Sequence, residues 1–453
     1  MSRRRSWPAL TYVTLTLFAA GTAALPAAQA KKWVVSWTAS VQGPYPVGNP
    51  SAQPNLDLAF PSASTGAHDQ TFRLILRPDI WGRQTRLRLS NALGTRPVTF
   101  DEIFVGLQMS GAALVPGTNG PVTFGGRTTI TIQPSSSAWS DPVALPFVHN
   151  SSSAELAGRK LSVSFHIVGE SGPMTWHAKA LTTSYLTKPR AGAKGREEGE
   201  AAFQITTTSW YFLDAIDMMA PVDTGAIVAF GDSITDGTAS TLNGDDRWPD
   251  VLSRRLHAVF GERVSVVNSG IGGNQVIWPE GYSPDEPFPG GPSAVQRLDR
   301  DVLSLSGVSA VIWFEGINDF GKKGHASVDA IEAAMKEGVK RIRARIPNVR
   351  VIGATLTSAL GSTNVAHGFQ EQDEKRKALN KFIRTSRLFD AVADFDKATI
   401  DPQTGSMRAE FVPDTTTGGP GDKLHPNRLG YLSMGMAIDL DSLLSKSAQS
   451  VNR

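Results

Sequence analysis

Four short segments of the sequence carry side chains that together could catalyse acyl transfer. They occupy residues 231–233, 268–274, 315–319 and 422–427. A serine hydroxyl becomes a nucleophile when a histidine removes its proton, and an aspartate can hold that histidine in the required tautomer. Glycine N–H groups and an asparagine amide can stabilise the oxyanion that ester hydrolysis generates. The pattern predicts Ser233 as nucleophile, His425 as base and Asp422 as the residue that orients His425.

Each segment is also compatible with an ordinary structural role. Asp and Ser are common helix caps, a glycine-rich run can be a flexible turn, and eight histidines make a chance Asp-x-x-His unsurprising. Two other site classes are excluded by spacing. The glycine run lacks the Gly-x-Gly-x-x-Gly dinucleotide pattern, and Thr235 stands where the Gly-x-Ser-x-Gly elbow of α/β-hydrolases requires glycine. The hypothesis therefore depends on the four segments occurring together.

The elements that must position these segments alternate between strand and helix. Short apolar runs occupy residues 226–230, 264–267, 310–314, 349–356 and 391–395, and residues 327–346 carry apolar side chains at helical spacing. Such alternation predicts a parallel sheet covered on both faces, with ligands bound beyond the carboxyl ends of its strands. The first three candidate segments follow the first three runs, and the fourth precedes the last helix. We therefore expect them to meet at one sheet edge.

The preceding half of the chain alternates polar and apolar residues with a period of two. Segments 71–77, 85–89, 128–132 and 160–165 show this pattern, and turn-forming residues separate them. The pattern predicts strands with one buried face and one wet face, arranged as an antiparallel, jelly-roll-like β-sandwich. Residues 188–202 could be a linker or a loop. A loop is favoured because Trp210, Tyr211 and Phe212 follow and should pack between the two halves.

The N-terminus has the pattern of a signal peptide. Arg3, Arg4 and Arg5 precede an apolar stretch over residues 9–20, and small residues at 28–30 fit a cleavage site. The alternative, a membrane anchor, needs about 20 apolar residues, which this stretch does not reach. We predict a signal peptide over residues 1–30, a β-sandwich domain over 31–222 and a catalytic domain over 223–446. The mature protein would be extracellular or periplasmic and free of the membrane.

Composition excludes several other functions. The 453 residues include no cysteine, which rules out disulfides, thiolate metal sites and a cysteine nucleophile. The first 30 residues hold three of the 45 basic residues and no acidic one, so 42 basic and 42 acidic residues remain without them. A neutral chain is a poor candidate for binding nucleic acid. The acyl-transfer chemistry itself needs neither a metal nor an organic cofactor.

Residues 226–440 resemble the GDSL or SGNH hydrolase superfamily, because its sequence blocks occur here in order. The resemblance implies a flavodoxin-like sheet and an esterase mechanism with Ser233, Asp422 and His425 as catalytic residues. It also implies an oxyanion hole formed by Ser233, Asn318 and a glycine. The offset from Asn268 favours Gly273 for that glycine, with Gly272 as the alternative. Asp232 and Asp319 are interpreted as structural.

The substrate is implied only broadly. The β-rich half, residues 209–212 and residues 247–250 resemble an extracellular subgroup of microbial SGNH esterases described as lipase-like, arylesterase-like or xylan-esterase-like. No long apolar stripe indicates a lipid-binding lid, which favours short-acyl, acetyl-type esters on carbohydrate, including polysaccharide. Two alternatives stay open: a lipase or arylesterase, and a catalytically inactive carbohydrate-binding protein.

Overall fold

The computed structural model describes residue 1 and residues 30–151 and 154–444. Apart from residues 1 and 30, the predicted signal peptide lies outside the described residues. Within the described part, no helix is both long enough and apolar enough to cross a bilayer.

Short strands dominate the N-terminal half. They are β1 (Lys31–Thr38), β2 (His68–Leu76), β3 (Gln84–Ser90), β4 (Val98–Ser110), β5 (Ala113–Leu114), β6 (Gly120–Pro121), β7 (Ile130–Ile132), β8 (Ser137–Trp139), β9 (Val143–Ala144), β10 (Leu161–Glu170), β11 (Trp176–His177), β12 (Ser184–Leu186), β13 (Ile205–Thr207), β14 (Trp210–Tyr211) and β15 (Leu213–Pro221). The β-rich character predicted for this half is confirmed, while the jelly-roll arrangement stays a prediction.

Two antiparallel sheets organise these strands. One has the order β1-β15-β3-β8, with β9 on β3, and the other has the order β13-β12-β2-β10-β4-β5, with β6 and β7 on β4. Strands β11 and β14 form a separate pair. Aromatic rings fill the core of this half: Phe72 stacks on Phe165 at 5.4 Å between ring centroids, and Phe212 meets Phe100 edge-on at 5.3 Å.

The expectation of one wet face on each strand is wrong for β2. Residues 70–76 are buried on both faces, and Arg73 is fully buried. Its guanidinium donates to the carbonyls of Ala112 and Gly199 and lies 3.8 Å from the ring centroid of Phe203. The irregular segment 188–204 therefore covers this face. Because β12 and β13 on either side of it belong to one sheet, the segment is a loop and not a linker.

The aromatic residues before the second half are buried, but two of the three do not lie between the halves. Tyr211 and Phe212 pack against Phe72 inside the β-rich half. Trp210 meets Trp37 edge-on at 4.8 Å and lines a small cavity that the second half also borders. The prediction that all three pack between the halves is wrong for Tyr211 and Phe212, because these two residues pack into the aromatic core of the β-rich half.

The second half alternates strand and helix as predicted. Its elements are β16 (Gly225–Gly231), α1 (Ser233–Asp236), α2 (Trp248–Phe260), β17 (Val264–Gly270), α3 (Ala294–Leu298), β18 (Val308–Phe314), α4 (Val328–Arg345), β19 (Arg350–Ala354), α5 (Gln370–Thr385), β20 (Ala391–Ala393), α6 (Phe395–Thr399) and α7 (Arg428–Met436). Short 3-10 turns occur at Ala154–Leu156, Gly261–Arg263, Ala409–Phe411 and Asp441–Leu443, with a π turn at Asp299–Leu303.

All strand pairs in this half are parallel, in the order β17-β16-β18-β19-β20. Strand β16, second in this order, is fully apolar between its glycines, and its residues 226–230 are at most 1% exposed. Such runs are typical of parallel strands covered on both faces. The flavodoxin-like assignment of the sheet stays a prediction.

The two halves share hydrogen bonds as well as apolar contacts. The N–H of Val35 on β1 donates to the carbonyl of Ser306 at 2.9 Å. The buried carboxylate of Asp79 accepts from the N–H of Val266 on β17 at 2.6 Å and contacts His257 at 3.3 Å. Buried polar groups need such partners, so the halves are complementary along this boundary.

Candidate active site

Ser233 occupies a tight strand-to-helix turn. Strand β16 ends at Gly231, and Asp232 caps α1 by accepting the N–H of Ile234 at 2.9 Å. Ser233 is then the first residue of a four-residue helix that Gly237 ends in the left-handed conformation, with φ of 108°. Aspartate is favoured before a helix because its carboxylate can accept a free N–H, and glycine is favoured after a helix because it has no Cβ to oppose a positive φ. The turn places the Ser233 hydroxyl at the carboxyl edge of the sheet.

Ser233, His425 and Asp422 form a continuous hydrogen-bonded chain. The Ser233 Oγ lies 2.8 Å from His425 Nε2, and His425 Nδ1 lies 2.7 Å from Asp422 Oδ2. Asp422 Oδ1 also accepts the N–H groups of Leu424 and His425 at 2.9 Å. Burial opposes ionisation of this carboxyl, but the bonds from His425 hold its pKa well below the usual range. An ionised Asp422 keeps the proton of His425 on Nδ1 and leaves Nε2 able to accept from serine.

The glycine-rich turn after β17 presents one free N–H to the pocket that opens at the serine. The turn is held in place because Asn268 Nδ2 donates to the carbonyl of Thr235 at 2.6 Å. The N–H of Gly272 is already engaged, since it donates to Asp236 Oδ2 at 2.9 Å. Gly273 has φ of 82°, lines the pocket, and its N–H has no acceptor among the described residues. Of the two candidate glycines, Gly273 is therefore the one with an available donor.

Asn318 and Asp319 follow β18 and have different surroundings. Asn318 lines the pocket, and its Nδ2 donates to the carbonyl of Asn274 at 2.9 Å, which leaves its second amide hydrogen for a ligand. Asp319 is fully buried and accepts the N–H groups of Val276 and Ile277 at 2.9 and 3.3 Å. Its contacts hold the segment after the glycine turn, as expected of a structural residue.

Arg297 on α3 joins the ends of three strands and has no motif of its own in the sequence. Its guanidinium is fully buried and donates to the carbonyls of Gly231 on β16 and Ser269 on β17, both at 2.8 Å. It also lies 3.8 Å from the carboxylate of Glu315, directly after β18. Sequence reasoning missed this residue because its partners are 28 and 66 positions away for the two carbonyls.

Three carboxyl groups in or after the strands at this edge of the sheet are buried. Burial raises the pKa of Asp232 to about 7, of Glu315 to about 8 and of Asp319 to about 7. The Arg297 guanidinium opposes the rise for Asp232 and Glu315. Neither oxygen of Glu315 has a hydrogen-bond partner among the described residues. A buried carboxyl without such partners favours its neutral form.

The β-rich half contributes two side chains to the pocket, Asn49 and Lys179. Asn49 Nδ2 donates to the carbonyl of Gly272 at 2.7 Å. Lys179 is 4% exposed, and its ammonium contacts the hydroxyl of Thr238. Burial lowers the pKa of Lys179, although the carboxylate of Asp236 opposes the change. Neither residue belongs to a recognisable motif, so sequence reasoning had no signal for them.

Two histidines of the β-rich half have structural partners, as expected. His166 lies between the carboxylates of Asp101 and Asp69, at 2.6 and 3.0 Å. His177 hydrogen-bonds the carbonyl of Ser40 at 2.7 Å, and its Nε2 also lies 3.2 Å from Asp236 of the second half. His177 therefore packs where the two halves meet.

A pocket of about 290 Å³ opens at Ser233 and His425. The polar side chains that also line it include no carboxylate among the described residues; they are Asn49, Lys179, Gln275, Asn318, Lys323, Asn364 and His367. The apolar side chains are Phe288, Pro289, Ala366 and Leu424. His367 was not singled out by sequence reasoning. No group of three or more potential metal ligands occurs in the described parts of the chain.

Most of the second half of the chain matches a known protein family. Residues 229–432 match the GDSL-like Lipase/Acylhydrolase family. No curated protein matches the chain. Among solved structures, a carbohydrate acetylesterase from Sinorhizobium meliloti is 16% identical, with 49% of this chain and 100% of that chain covered and a TM-score of 0.36.

Two further structures show similar values. A lipase/acylhydrolase from Enterococcus faecalis is 23% identical, covering 47% of this chain and 93% of that chain, with a TM-score of 0.34. An aryl esterase from M. smegmatis is 18% identical, covering 49% of this chain and 100% of that chain, with a TM-score of 0.36. Residues 229–432 therefore carry a GDSL-like lipase/acylhydrolase domain, and the protein is a carboxylic ester hydrolase.

Proposed function

We propose that the protein is a secreted serine esterase that removes short acyl groups, such as acetyl, from carbohydrate esters. The observation that supports this most directly is the hydrogen-bonded chain Ser233–His425–Asp422 at a pocket of about 290 Å³. A nucleophile, a base and an orienting carboxylate in mutual contact form the set that acyl transfer requires.

In the proposed mechanism, the Ser233 hydroxyl attacks the ester carbonyl while His425 Nε2 takes its proton. The N–H groups of Ser233 and Gly273 and the free amide hydrogen of Asn318 stabilise the resulting oxyanion. When the intermediate collapses, His425 returns the proton to the leaving alcohol and an acyl-serine forms. Water, deprotonated by His425, then attacks the acyl-serine and releases the carboxylic acid and free Ser233.

The pocket lining supports a small acyl group and a polar alcohol. Amide and ammonium groups lie in the lining beside the apolar side chains of Phe288, Pro289, Ala366 and Leu424. Polar groups in a binding site fix the orientation of substrates that can hydrogen-bond to them. A long hydrocarbon chain would leave these groups without partners, which costs free energy.

Site-directed variants test the catalytic roles. Ser233→Ala should abolish covalent labelling by an organophosphate and nearly all ester hydrolysis. Asn318→Ala should lower kcat by about 100- to 1000-fold with less effect on KM, because the lost donor acts mainly in the transition state. Asp422→Asn should keep the fold but slow the reaction by favouring the wrong tautomer of His425. Wild-type activity in Ser233→Ala, with contaminants excluded, would place the nucleophile elsewhere.

A substrate profile tests the substrate class. Rates on p-nitrophenyl esters of increasing acyl length should fall beyond the shortest chains, and acetylated xylan should release acetate. A preference for long acyl chains would instead support a lipase, and a preference for aryl alcohols an arylesterase. The absence of hydrolysis of every ester would support a protein that only binds carbohydrate.

Export is proposed from the N-terminal sequence alone, namely the arginines at 3–5, the apolar stretch and the small residues at 28–30. N-terminal sequencing of protein from the culture medium should give a first residue near Lys31. An intact Met1 in a membrane fraction would contradict the proposal.

A further inference from the structure

His367 lines the pocket beside the catalytic histidine. It belongs to the segment after β19, and the same segment holds Asp422, because the N–H of Thr363 donates to the Asp422 carbonyl at 3.1 Å. Since His425 would return its proton to the leaving alcohol, the alcohol of a bound ester belongs next to His425, whose loop is bonded to the segment of His367.

The hydrogen bonds of Gln372 determine which nitrogen of His367 carries the proton. Gln372 is 1% exposed and lies on α5. Its Oε1 accepts the N–H of Gly368 at 3.0 Å, and its Nε2 donates to the carbonyl of Ile317 at 3.1 Å. These two contacts fix the orientation of the amide. In the reversed orientation, the NH₂ group of Gln372 would face the N–H of Gly368, and its oxygen would face the carbonyl of Ile317.

In this orientation, Gln372 presents its NH₂ group to His367 Nδ1 at 2.6 Å. An amide nitrogen can only donate, so Nδ1 accepts and the ring proton lies on Nε2. Burial lowers the pKa of His367 to about 4, so the ring is neutral at neutral pH. Nε2 has no hydrogen-bond partner among the described residues, although its ring lines the pocket.

We infer that His367 is a substrate-binding residue whose Nε2–H donates to a second oxygen of the alcohol, close to the ester. This inference rests on the proposed function, because it assigns the alcohol to the same pocket. A sugar supplies such an acceptor as a neighbouring hydroxyl, ring oxygen or glycosidic oxygen, whereas a hydrocarbon alcohol supplies none. His367 thus selects for oxygen-rich alcohols, and it leaves proton transfer to His425.

The test compares two acetate esters of similar shape. Methyl xyloside carrying one acetyl group has oxygens next to the ester, and cyclohexyl acetate has a ring of similar size without them. The wild-type enzyme should prefer the xyloside. His367→Phe should lower the ratio of kcat/KM for the xyloside to kcat/KM for cyclohexyl acetate by about tenfold, the size of one net hydrogen bond.

His367→Gln serves as the matched variant, because its side-chain amide can again donate near the position of Nε2. It should recover most of the preference for the xyloside. A loss of equal size on both esters in His367→Phe would overturn the inference, as would a wild-type enzyme without preference between them. If Ser233→Ala were fully active, the proposed function would fail first, so the two failures are distinguishable.

Nitrogen-15 NMR of the wild-type protein gives a readout that does not depend on a variant folding. The His367 ring should be neutral at pH 7 with its proton on Nε2. Its Nε2 resonance should shift on addition of methyl xyloside. A ring protonated on Nδ1 would overturn the inference.

Discussion

Replacing the buried carboxyl of Glu315 with an amide should stabilise the protein, and the gain should grow with pH. Glu315 is 0% exposed, and its closest charged partner is Arg297 at 3.8 Å. Burial raises its pKa from 4.5 to about 8. The folded protein therefore favours the neutral form of Glu315. The free energy of unfolding is highest below pH 4.5, where this carboxyl is neutral in both the folded and the unfolded state, and it falls as pH rises towards and through about 8.

The size of the effect follows from this shift. Because one pKa unit corresponds to about 1.4 kcal/mol, the raised pKa of Glu315 lowers the free energy of unfolding by about 1.4 kcal/mol at pH 5.5 and by about 4.5 kcal/mol at pH 8.5. A glutamine cannot ionise and has a similar shape, so Glu315→Gln should avoid this cost. The stability difference between the variant and the wild type should increase by about 3 kcal/mol over this range.

Urea unfolding at pH 5.5 and 8.5, followed by tryptophan fluorescence, measures the difference. Glu337→Gln on α4 is the matched control, because that carboxyl is 59% exposed and should change stability equally little at both pH values. A gain in Glu315→Gln that is the same at pH 5.5 and 8.5 would refute the reasoning, because it would show that Glu315 does not titrate between them.

Three further predictions concern the pocket and the boundary between the halves. Gly273→Ala should lower kcat by about 10- to 100-fold with the circular dichroism unchanged. The reason is that a Cβ on residue 273 would lie 2.7 Å from Asn49 Nδ2, in a backbone conformation with φ of 82°. An unchanged kcat would contradict the assigned oxyanion donor. Burial lowers the pKa of His257, but Asp79 raises it to about 9. Asp79→Asn should therefore lower the free energy of unfolding by about 3 kcal/mol below pH 6.5, and by less as pH rises through 9. A loss of stability that does not depend on pH in urea unfolding would contradict this. A chain shortened to start at Ala226 should be poorly soluble on size-exclusion chromatography because it exposes an apolar face; a soluble, monomeric, fully active product would show that the halves are independent.

The parallel sheet could be predicted because its strands are buried on both faces. A short run of apolar residues bounded by glycine is typical of such strands, and the predicted run 226–230 falls within β16 at Gly225–Gly231. The helix predicted over 327–346 falls at Val328–Arg345, since its apolar residues all lie on one face. The prediction of a wet face failed for β2 because alternation records side-chain polarity and not what covers the strand.

The residues of the candidate site also fall into two groups, those that the sequence indicates and those that it does not. Ser233, Asp422 and His425 could be singled out because each lies in a short motif with a known chemical use. Lys179 and His367 could not, because each is a lone polar residue whose role depends on contacts made by distant elements. For His367, even the donor nitrogen is set by a glutamine on another element.

The wall of the pocket that Asn49 and Lys179 form has a consequence for engineering. Asn49 lies 223 positions before Gly272, whose carbonyl it binds. A chimera that exchanges the β-rich half between related enzymes would transplant part of the substrate pocket along with the scaffold, so the hybrid would inherit its selectivity from both parents. Mutant libraries confined to the α/β half would leave that wall unsampled.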